Sequence, residues 1–322
     1  MPSLSVALSL HSRMVPSGTD TPVDSVVVCN PVSGSGDHVP AVRDAAADHG
    51  FRVRETEYAG HGVGLASEAV AAGATFVAAA GGDGTLNEVV RGIVDAGALD
   101  GVTVGVVPCG TGNNFARNIG LSGIEQAFRV FEGGERRRVD LAVADGRPFM
   151  NSCVGGLTAE ASAETSPELK RRFGATAYLL STLRTVRNFD SIRVTVEMYD
   201  DRSSDPVWTG DAVGVLIGNG RRFPPSGSEQ ADMEDGRFDV TLVRASGSVG
   251  LFKTAAAERL LKRETAWTAR YTVSAVDITV ADNEPVAFSL DGEIIRQREL
   301  SLRIQPKTLR LAVGEGYEPH PE

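Results

Sequence analysis

The first half of this chain repeats one event: a short β-branched run stops in a glycine-rich loop, and a helix-compatible segment follows. Residues 25–29 break into NPVSGSG at 30–36, residues 75–80 into GGDGT at 81–85, and residues 102–107 into PCGTGNN at 108–114. Residues 51–56 read as one more strand. Helical spacing covers 39–49, 64–72 and 86–96, and a further helix begins near Phe115. Strands alternating with helices build right-handed βαβ units around a parallel sheet. Such sheets bind ligands beyond the carboxyl ends of their strands, so all three loops fall on one edge.

The second half reads differently. From Val139 onward short β-type runs recur at 139–143, 192–198, 211–217, 238–244, 270–273, 276–280, 286–290 and 301–304. Helical stretches are confined to 166–189 and 249–261. That pattern describes an antiparallel sandwich with one or two packed helices. The expected organisation is therefore a mobile extension over 1–24, then a parallel-sheet α/β domain over 25–138 completed by segment 307–322. An antiparallel β-sandwich domain over 139–306 lies between, and the change-over falls near 136–140. A length of 322 residues suits two domains.

Composition narrows the function. The net charge is −10, and only Lys170, Lys253, Lys262 and Lys307 are lysines among the 32 basic residues. Blanket contact with a nucleic-acid backbone needs a basic surface, so no nucleic-acid partner is expected. The clusters 136–138 and 170–172 could meet an anionic membrane surface, or be solvated faces. No uncharged apolar run approaches the ~18–20 residues needed to cross a bilayer. Three cysteines, Cys29, Cys109 and Cys153, odd in number and without a CxxC pair, fit a reduced, cytoplasmic setting.

The loops carry the chemistry. Glycines directly after a strand let backbone N–H groups approach an anion, and the following helix points its positive end at the same place. Thr85 adds a hydroxyl. Asp83 repels a phosphate on its own account and makes sense if it holds Mg²⁺ or positions a water or cation. For this single loop, a tight turn with Asp83 as helix cap is the plainer alternative. The spacing has neither the Lys-Ser/Thr of a Walker loop nor a GxGxxG fingerprint. Asn30–Ser33–Gly34 and Gly110–Thr111–Gly112 offer amides, hydroxyls and N–H groups in the same manner, and three such loops on one edge point to a polyanion.

In this order and at these intervals, NPVSGSG, GGDGTLNEVV and PCGTGNNFARNIG resemble the diacylglycerol kinase catalytic domain of soluble bacterial and archaeal lipid kinases, shared with sphingosine and ceramide kinases. The resemblance continues in FMNSCVGG (149–156), DGRFD (235–239) and LDGE (290–293), and so covers nearly the whole chain. GGDGT by itself also occurs in NAD kinases and phosphofructokinases; the first and third segments favour the lipid-kinase branch. The resemblance implies ATP and Mg²⁺ as cofactors and a lipid alcohol as acceptor. It implies nucleotide contacts at Asn30, Pro31, Ser33, Gly34, Thr56, Gly82, Asp83, Gly84, Thr85, Asn87, Glu88, Gly110, Thr111 and Asn114. Asp83 would serve catalysis and Glu293 would accept the hydroxyl proton. The loop 231–239 resembles a structural Mg²⁺ loop, with a carboxylate from Asp235 and carbonyls from Asp232 and Arg237.

Two positions depart from the family. Asn114 stands where aspartate is usual, which removes one negative charge from any metal–water network. The run 221–226 (RRFPPS) replaces a glycine-rich stretch with prolines, which stiffen what glycine leaves supple. Segment 168–189 carries Leu179, Leu183 and Val186 on one stripe behind Lys170–Arg172, a pattern that suits either peripheral membrane contact or core packing. Residues 291–292, Asp-Gly, also read as a plain hairpin turn. A homodimer is compatible with the sequence, and nothing in it fixes the oligomeric state. Two rivals stay open: an NAD kinase-like enzyme with a soluble acceptor, and a weakly active nucleotide-binding regulator.

Overall fold

A computed structural model describes residues 25–156, 191–200, 206–226, 228–245 and 268–321. The expected extension at 1–24 and the helices at 166–189 and 249–261 lie outside the described residues.

Four parallel strands form the first sheet: β1 (Ser25–Cys29), β2 (Arg52–Glu55), β3 (Phe76–Gly81) and β4 (Thr103–Pro108), in the order β2–β1–β3–β4. Helices α1 (Val39–Asp48), α2 (His61–Ala71), α3 (Asp83–Asp95), α4 (Asn114–Asn118) and α5 (Ile124–Gly133) follow in turn. Strands β1 and β3 are apolar on both faces because helices cover both. Val26, Val28, Val77 and Ala79 pack with Leu65, Leu86, Val90 and Ile93 of α2 and α3. The alternate residues Val27, Ala78 and Ala80 pack with Val42 and Ala46 of α1 and with Phe128 and Phe131 of α5.

Helix α1 starts at Val39 as expected, whereas α2 and α3 each start three residues earlier than apolar spacing predicts. Helix α3 begins inside the glycine loop because the Thr85 and Leu86 N–H groups already bond to the Gly82 carbonyl. Helix α2 begins at His61 because the Glu88 carboxylate accepts from the Gly60 and Gly62 N–H groups, both at 2.9 Å, and so supplies the donors of its first turn with a partner. The helix expected near Phe115 is only the five residues of α4, stopped by Gly120 at φ +73.

The antiparallel half comprises β5 (Glu135–Ala144), β6 (Arg147–Phe149), β7 (Ser152–Gly156), β8 (Ile192–Tyr199), β9 (Val207–Gly218), β10 (Arg221–Ser226), β11 (Ser228–Gln230), β12 (Phe238–Arg244), β13 (Thr268–Val273), β14 (Ala275–Val280), β15 (Val286–Leu290), β16 (Glu293–Gln297) and β17 (Glu299–Val313). Strands run in the order β16–β15–β7–β9–β8–β14–β17, with β12 on β9 and β13 on β12. Phe149, Val196, Ile217, Phe238 and Phe288 are fully buried in its core.

No linker separates the halves at 136–140; those residues lie inside β5. Strand β17 pairs antiparallel with β14 over residues 299–303, and antiparallel with β5 along most of its length. Near its end, Arg310 and Leu311 pair parallel with Thr103 and Val104 of β4. The register of β17 against β5 shifts between Gln305 and Leu309, opposite Asp140. Asp140 is fully buried, and its two oxygens accept from the Lys307 N–H (2.8 Å) and the Gly236 N–H (2.7 Å). It therefore pins the bulge of β17 to the acidic loop, residues 231–239. Among the described residues no helix is long and apolar enough to cross a membrane.

Candidate active site

The three glycine-rich loops meet. A Cβ added at Gly110 would lie 2.4 Å from the Gly82 Cα, and one at Gly34 would lie 2.5 Å from the Cys109 carbonyl oxygen. Only glycine permits backbones this close, and Gly34 also sits at φ +59. The Cys109 and Gly110 N–H groups donate to the Gly81 carbonyl (2.9 and 3.0 Å), and the Asn30 amide reaches the Thr85 hydroxyl at 3.4 Å. Within the first loop the Asn30 side chain accepts from Val32 N–H at 3.1 Å and its carbonyl from Ser33 N–H at 3.2 Å, which close the turn around Pro31. Thr56 is buried beside β1, its N–H on the Cys29 carbonyl; Thr111 is exposed at the rim of the third loop.

Asp83 opens α3, half-buried, with one oxygen accepting from the Phe115 N–H at 3.2 Å. It thus caps α4 and ties the second loop to the third. Burial pushes its carboxyl above the ordinary aspartate range. The Phe115 and Asn114 N–H groups and the charges of Arg221 and Arg117 pull against that rise. Asn114 turns its side-chain oxygen to the Arg117 guanidinium. Arg221 belongs to β10, so the second half of the molecule sends a cation toward Asp83.

Between the halves lies a cleft of about 560 Å³. One wall is Gly84, Asn87, Glu88 and Arg91 of α3 with the residues that open α2. The other is Arg147 and Pro148 of β6 and residues 290–293. The Asp-Gly turn expected from sequence exists: Leu290 pairs with Glu293, with Asp291 at φ +48 and Gly292 at φ +101. Its aspartate does more than turn the chain. The carboxylate accepts from the N–H groups of Met150 (2.6 Å), Asn151 (3.0 Å) and Ser152 (2.6 Å), and from the Asn87 side chain. Burial raises the Asp291 carboxyl, and these donors oppose the rise. Glu293 stands at the cleft with its side chain 62% exposed, 3.3 Å from Arg147. Glu88 is spent on the start of α2. Asn87 joins helix α3 to the turn that carries Glu293.

The acidic loop is a separate place. Asp232 accepts from Glu234 N–H (2.9 Å) with one oxygen and meets His320 at 2.7 Å with the other. Asp235 accepts from Arg237 N–H at 2.9 Å. Arg237 also pairs with Asp200. The residues after β17 close over this loop: Tyr317 hydroxyl to Glu234 (3.0 Å), Gln230 amide to the Glu318 carbonyl (2.6 Å) and Arg222 to the Pro321 carbonyl (3.3 Å). Asp235 is raised to about 6, first by desolvation and then by the charges of Asp232, Asp140 and Asp239. Among the described residues no group of three or more His, Cys, Asp or Glu side chains stands as a metal cluster. A ligand set of one carboxylate and two carbonyls has no such cluster to mark it. The raised Asp235 marks a surplus of negative charge, which a cation would relieve.

Sequence reasoning passed over Asp140, Arg147 and Arg221. The signal for Asp140 is a lone acid in an otherwise apolar strand. Arg147 follows an Asp-Gly pair as Glu293 does. Arg221 is visible only in three dimensions.

A parallel-strand α/β half with phosphate-type loops on one edge, facing an antiparallel sandwich across a cleft, is the build of a phosphotransferase with an alcohol acceptor. The comparisons agree. Residues 24–144 match the model of the diacylglycerol kinase catalytic domain, and residues 151–313 that of the YegS C-terminal NAD kinase beta sandwich-like domain. The two models part at 144–151, after β5 rather than within it. The chain belongs to the diacylglycerol kinase catalytic-domain family. It is 30% identical over 282 residues to a "Probable lipid kinase YegS-like" of Pseudomonas aeruginosa, covering 86% of this chain and 89% of that one. It is 29% identical over 292 residues to its namesake in Chromohalobacter salexigens, covering 88% and 92%. In fold it resembles a "putative diacylglycerol kinase from Bacillus anthracis str. Sterne", with TM-score 0.76 at 23% identity over 94% of this chain and 99% of that one.

Proposed function

We propose that this chain is an ATP- and Mg²⁺-dependent lipid kinase that moves the γ-phosphoryl group to the hydroxyl of diacylglycerol or a related long-chain lipid alcohol. The observation that carries the reading is the cleft itself, where the helix leading out of GGDGT faces the turn that bears Glu293. The names of the curated relatives support the lipid acceptor.

At Gly34 and Gly110 a Cβ would strike the backbone of the neighbouring loop, so glycine is what lets the three loops gather at one place. The backbone N–H groups there, with Ser33, Thr85 and Thr111, would cradle the triphosphate. Asp83 is the residue suited to hold Mg²⁺ beside it, and the ion would neutralise charge on the phosphoryl oxygens. Glu293 takes the acceptor's hydroxyl proton as the new O–P bond forms. Asp291 fixes Glu293 from behind.

Incubation with γ-labelled ATP, Mg²⁺ and a panel of lipid alcohols, followed by organic extraction, tests the reading. Label in the organic phase supports it. Label confined to a phosphorylated soluble nucleotide would favour the NAD kinase-like alternative, which the description of the second matching model keeps in view. Nucleotide binding without turnover on any lipid would favour a regulator.

A further inference from the structure

The cleft is built on two turns of the same form. In each, a two-residue Asp-Gly loop with both residues at positive φ joins a hairpin: Asp145–Gly146 (φ +45 and +81) between β5 and β6, and Asp291–Gly292 (φ +48 and +101) between β15 and β16. Such loops set strand register tightly. Each aspartate is also spent on anchoring its turn. Asp145 accepts from the Ser301 N–H of β17 at 3.1 Å, and Asp291 from three N–H groups around β7. In both hairpins the residue directly after the glycine is charged and lines the cleft: Arg147 in one, Glu293 in the other. Their side chains meet at 3.3 Å, both about half exposed. An ion pair this open contributes little to stability, yet two anchored turns hold it at the mouth of the site.

The charge balance of the reaction gives the pair a use. When the acceptor hydroxyl attacks, its proton passes to Glu293, the bond from the γ-phosphorus to ADP breaks, and a phosphomonoester forms on the acceptor. Glu293 loses its negative charge in the step in which the acceptor gains a dianion. The partner of Arg147 is thereby neutralised, and a stronger anion appears beside it. Among the described residues only Arg91 and Arg147 bring cations to the cleft, and Arg91 faces Asp95 on its own helix. A guanidinium suits this exchange, because its fork of donors fits carboxylate and phosphate alike.

We propose that Arg147 is the phosphomonoester-binding residue of the cleft: it holds Glu293 in the resting site and exchanges it for the transferred phosphoryl group. This rests on the lipid-kinase reading for the identity of the product, but its test does not need turnover. Binding of a short-chain phosphatidic acid is measured by calorimetry on the full chain, wild type against Arg147→Gln and Arg147→Lys. Losing a charge-assisted contact to phosphate should weaken binding of the phosphomonoester about tenfold to a hundredfold in Arg147→Gln, with Arg147→Lys between. Affinity for ATP with Mg²⁺ should change less than about threefold, a margin within the range of an exposed pair. In turnover assays the inhibition constant of the product should rise in step with the calorimetric loss.

Equal loss of ATP and phosphomonoester affinity would overturn the assignment in favour of a donor-phosphate contact. Unchanged phosphomonoester affinity in Arg147→Gln would overturn it outright. A wild type that binds no phosphatidic acid would also overturn it. If the wild type phosphorylates no lipid but binds phosphatidic acid through Arg147, the proposed acceptor fails and this assignment stands.

Discussion

The cleft and the acidic loop are both lined by carboxylates, and they differ in where those carboxylates find partners. In the acidic loop Asp232 spends one oxygen on the Glu234 N–H and the other on His320, Asp239 pairs with Arg222, and Asp235 spends one oxygen on the Arg237 N–H. In the cleft, Asp291 and Glu88 are committed on both oxygens while Glu293 meets Arg147 in an open pair, and Asp83, at the head of α3 outside the cleft lining, spends one oxygen on the Phe115 N–H. The contrast shows that acidity alone does not mark where chemistry occurs. Asp83 and Asp235 are alike in accepting from backbone N–H groups, and what sets Asp83 apart is its place beside the glycine loops.

Variants should sort by this contrast. Asp83→Ala is expected to lose turnover by about 10³-fold or more, with no recovery in excess Mg²⁺, since no other acid in the cradle can take its place; wild-type-like rates would break the comparison at its centre. Glu293→Gln should lower kcat by about 10²–10⁴-fold while ATP affinity, read by calorimetry, stays put. Turnover barely affected would return Glu293 to an ordinary hairpin residue. Asp291→Ala should act first on folding. Stranding three backbone donors and the Asn87 amide should lower unfolding stability by about 2–3 kcal/mol in urea titrations, with kcat falling as Glu293 loses its footing. A loss of kcat at unchanged stability would make Asp291 a chemical rather than a positioning group.

The smallest effect belongs to the acidic loop. Asp235 binds its proton more tightly in the folded chain than in the unfolded one, because its folded value is raised to about 6. Its contribution to stability therefore falls as pH rises from about 4 to 6. Asp235→Asn should flatten that slope and leave the folded protein at least as stable as wild type near neutrality, with little change in kcat. An unchanged pH profile of the urea midpoint would mean that the surplus charge is already relieved.

Much of this was legible in the residues. The strands of the parallel sheet follow the β-branched runs closely, since burial on both faces forces a continuous apolar run, and the glycine loops announce their own convergence. The family resemblance carried the fold class and the kind of enzyme. Strand β7 (SCVGG) was not legible as a strand: two of its five residues are glycine, and no alternation survives. Strand β16 is a short hairpin arm whose Glu-Ile-Ile start reads equally as the end of a turn. The change of pattern near 136–140 shows no more than that strands take over; that the chain runs on unbroken through β5, with the Arg136 guanidinium on carbonyls at the end of α5 and Arg137 paired with Glu234, is set by contacts distant in sequence. The ties that hold Asp83 and Glu293 in relation to one another, through Asn87, Asp291 and Arg221, join residues far apart in the chain, and no local pattern announces them.

Strand β17 carries one more consequence. The open side of β4, whose end leads into the third glycine loop, is covered by Arg310 and Leu311, roughly 200 residues further along the chain. A nascent chain emerging from the ribosome therefore cannot close this sheet until the sandwich strands that lie between β4 and β17 in the chain have been made. Pairings over such distances fold slowly, and until then a bare strand edge invites the wrong neighbour. The parallel-sheet half, synthesised before the sandwich, is finished only after it.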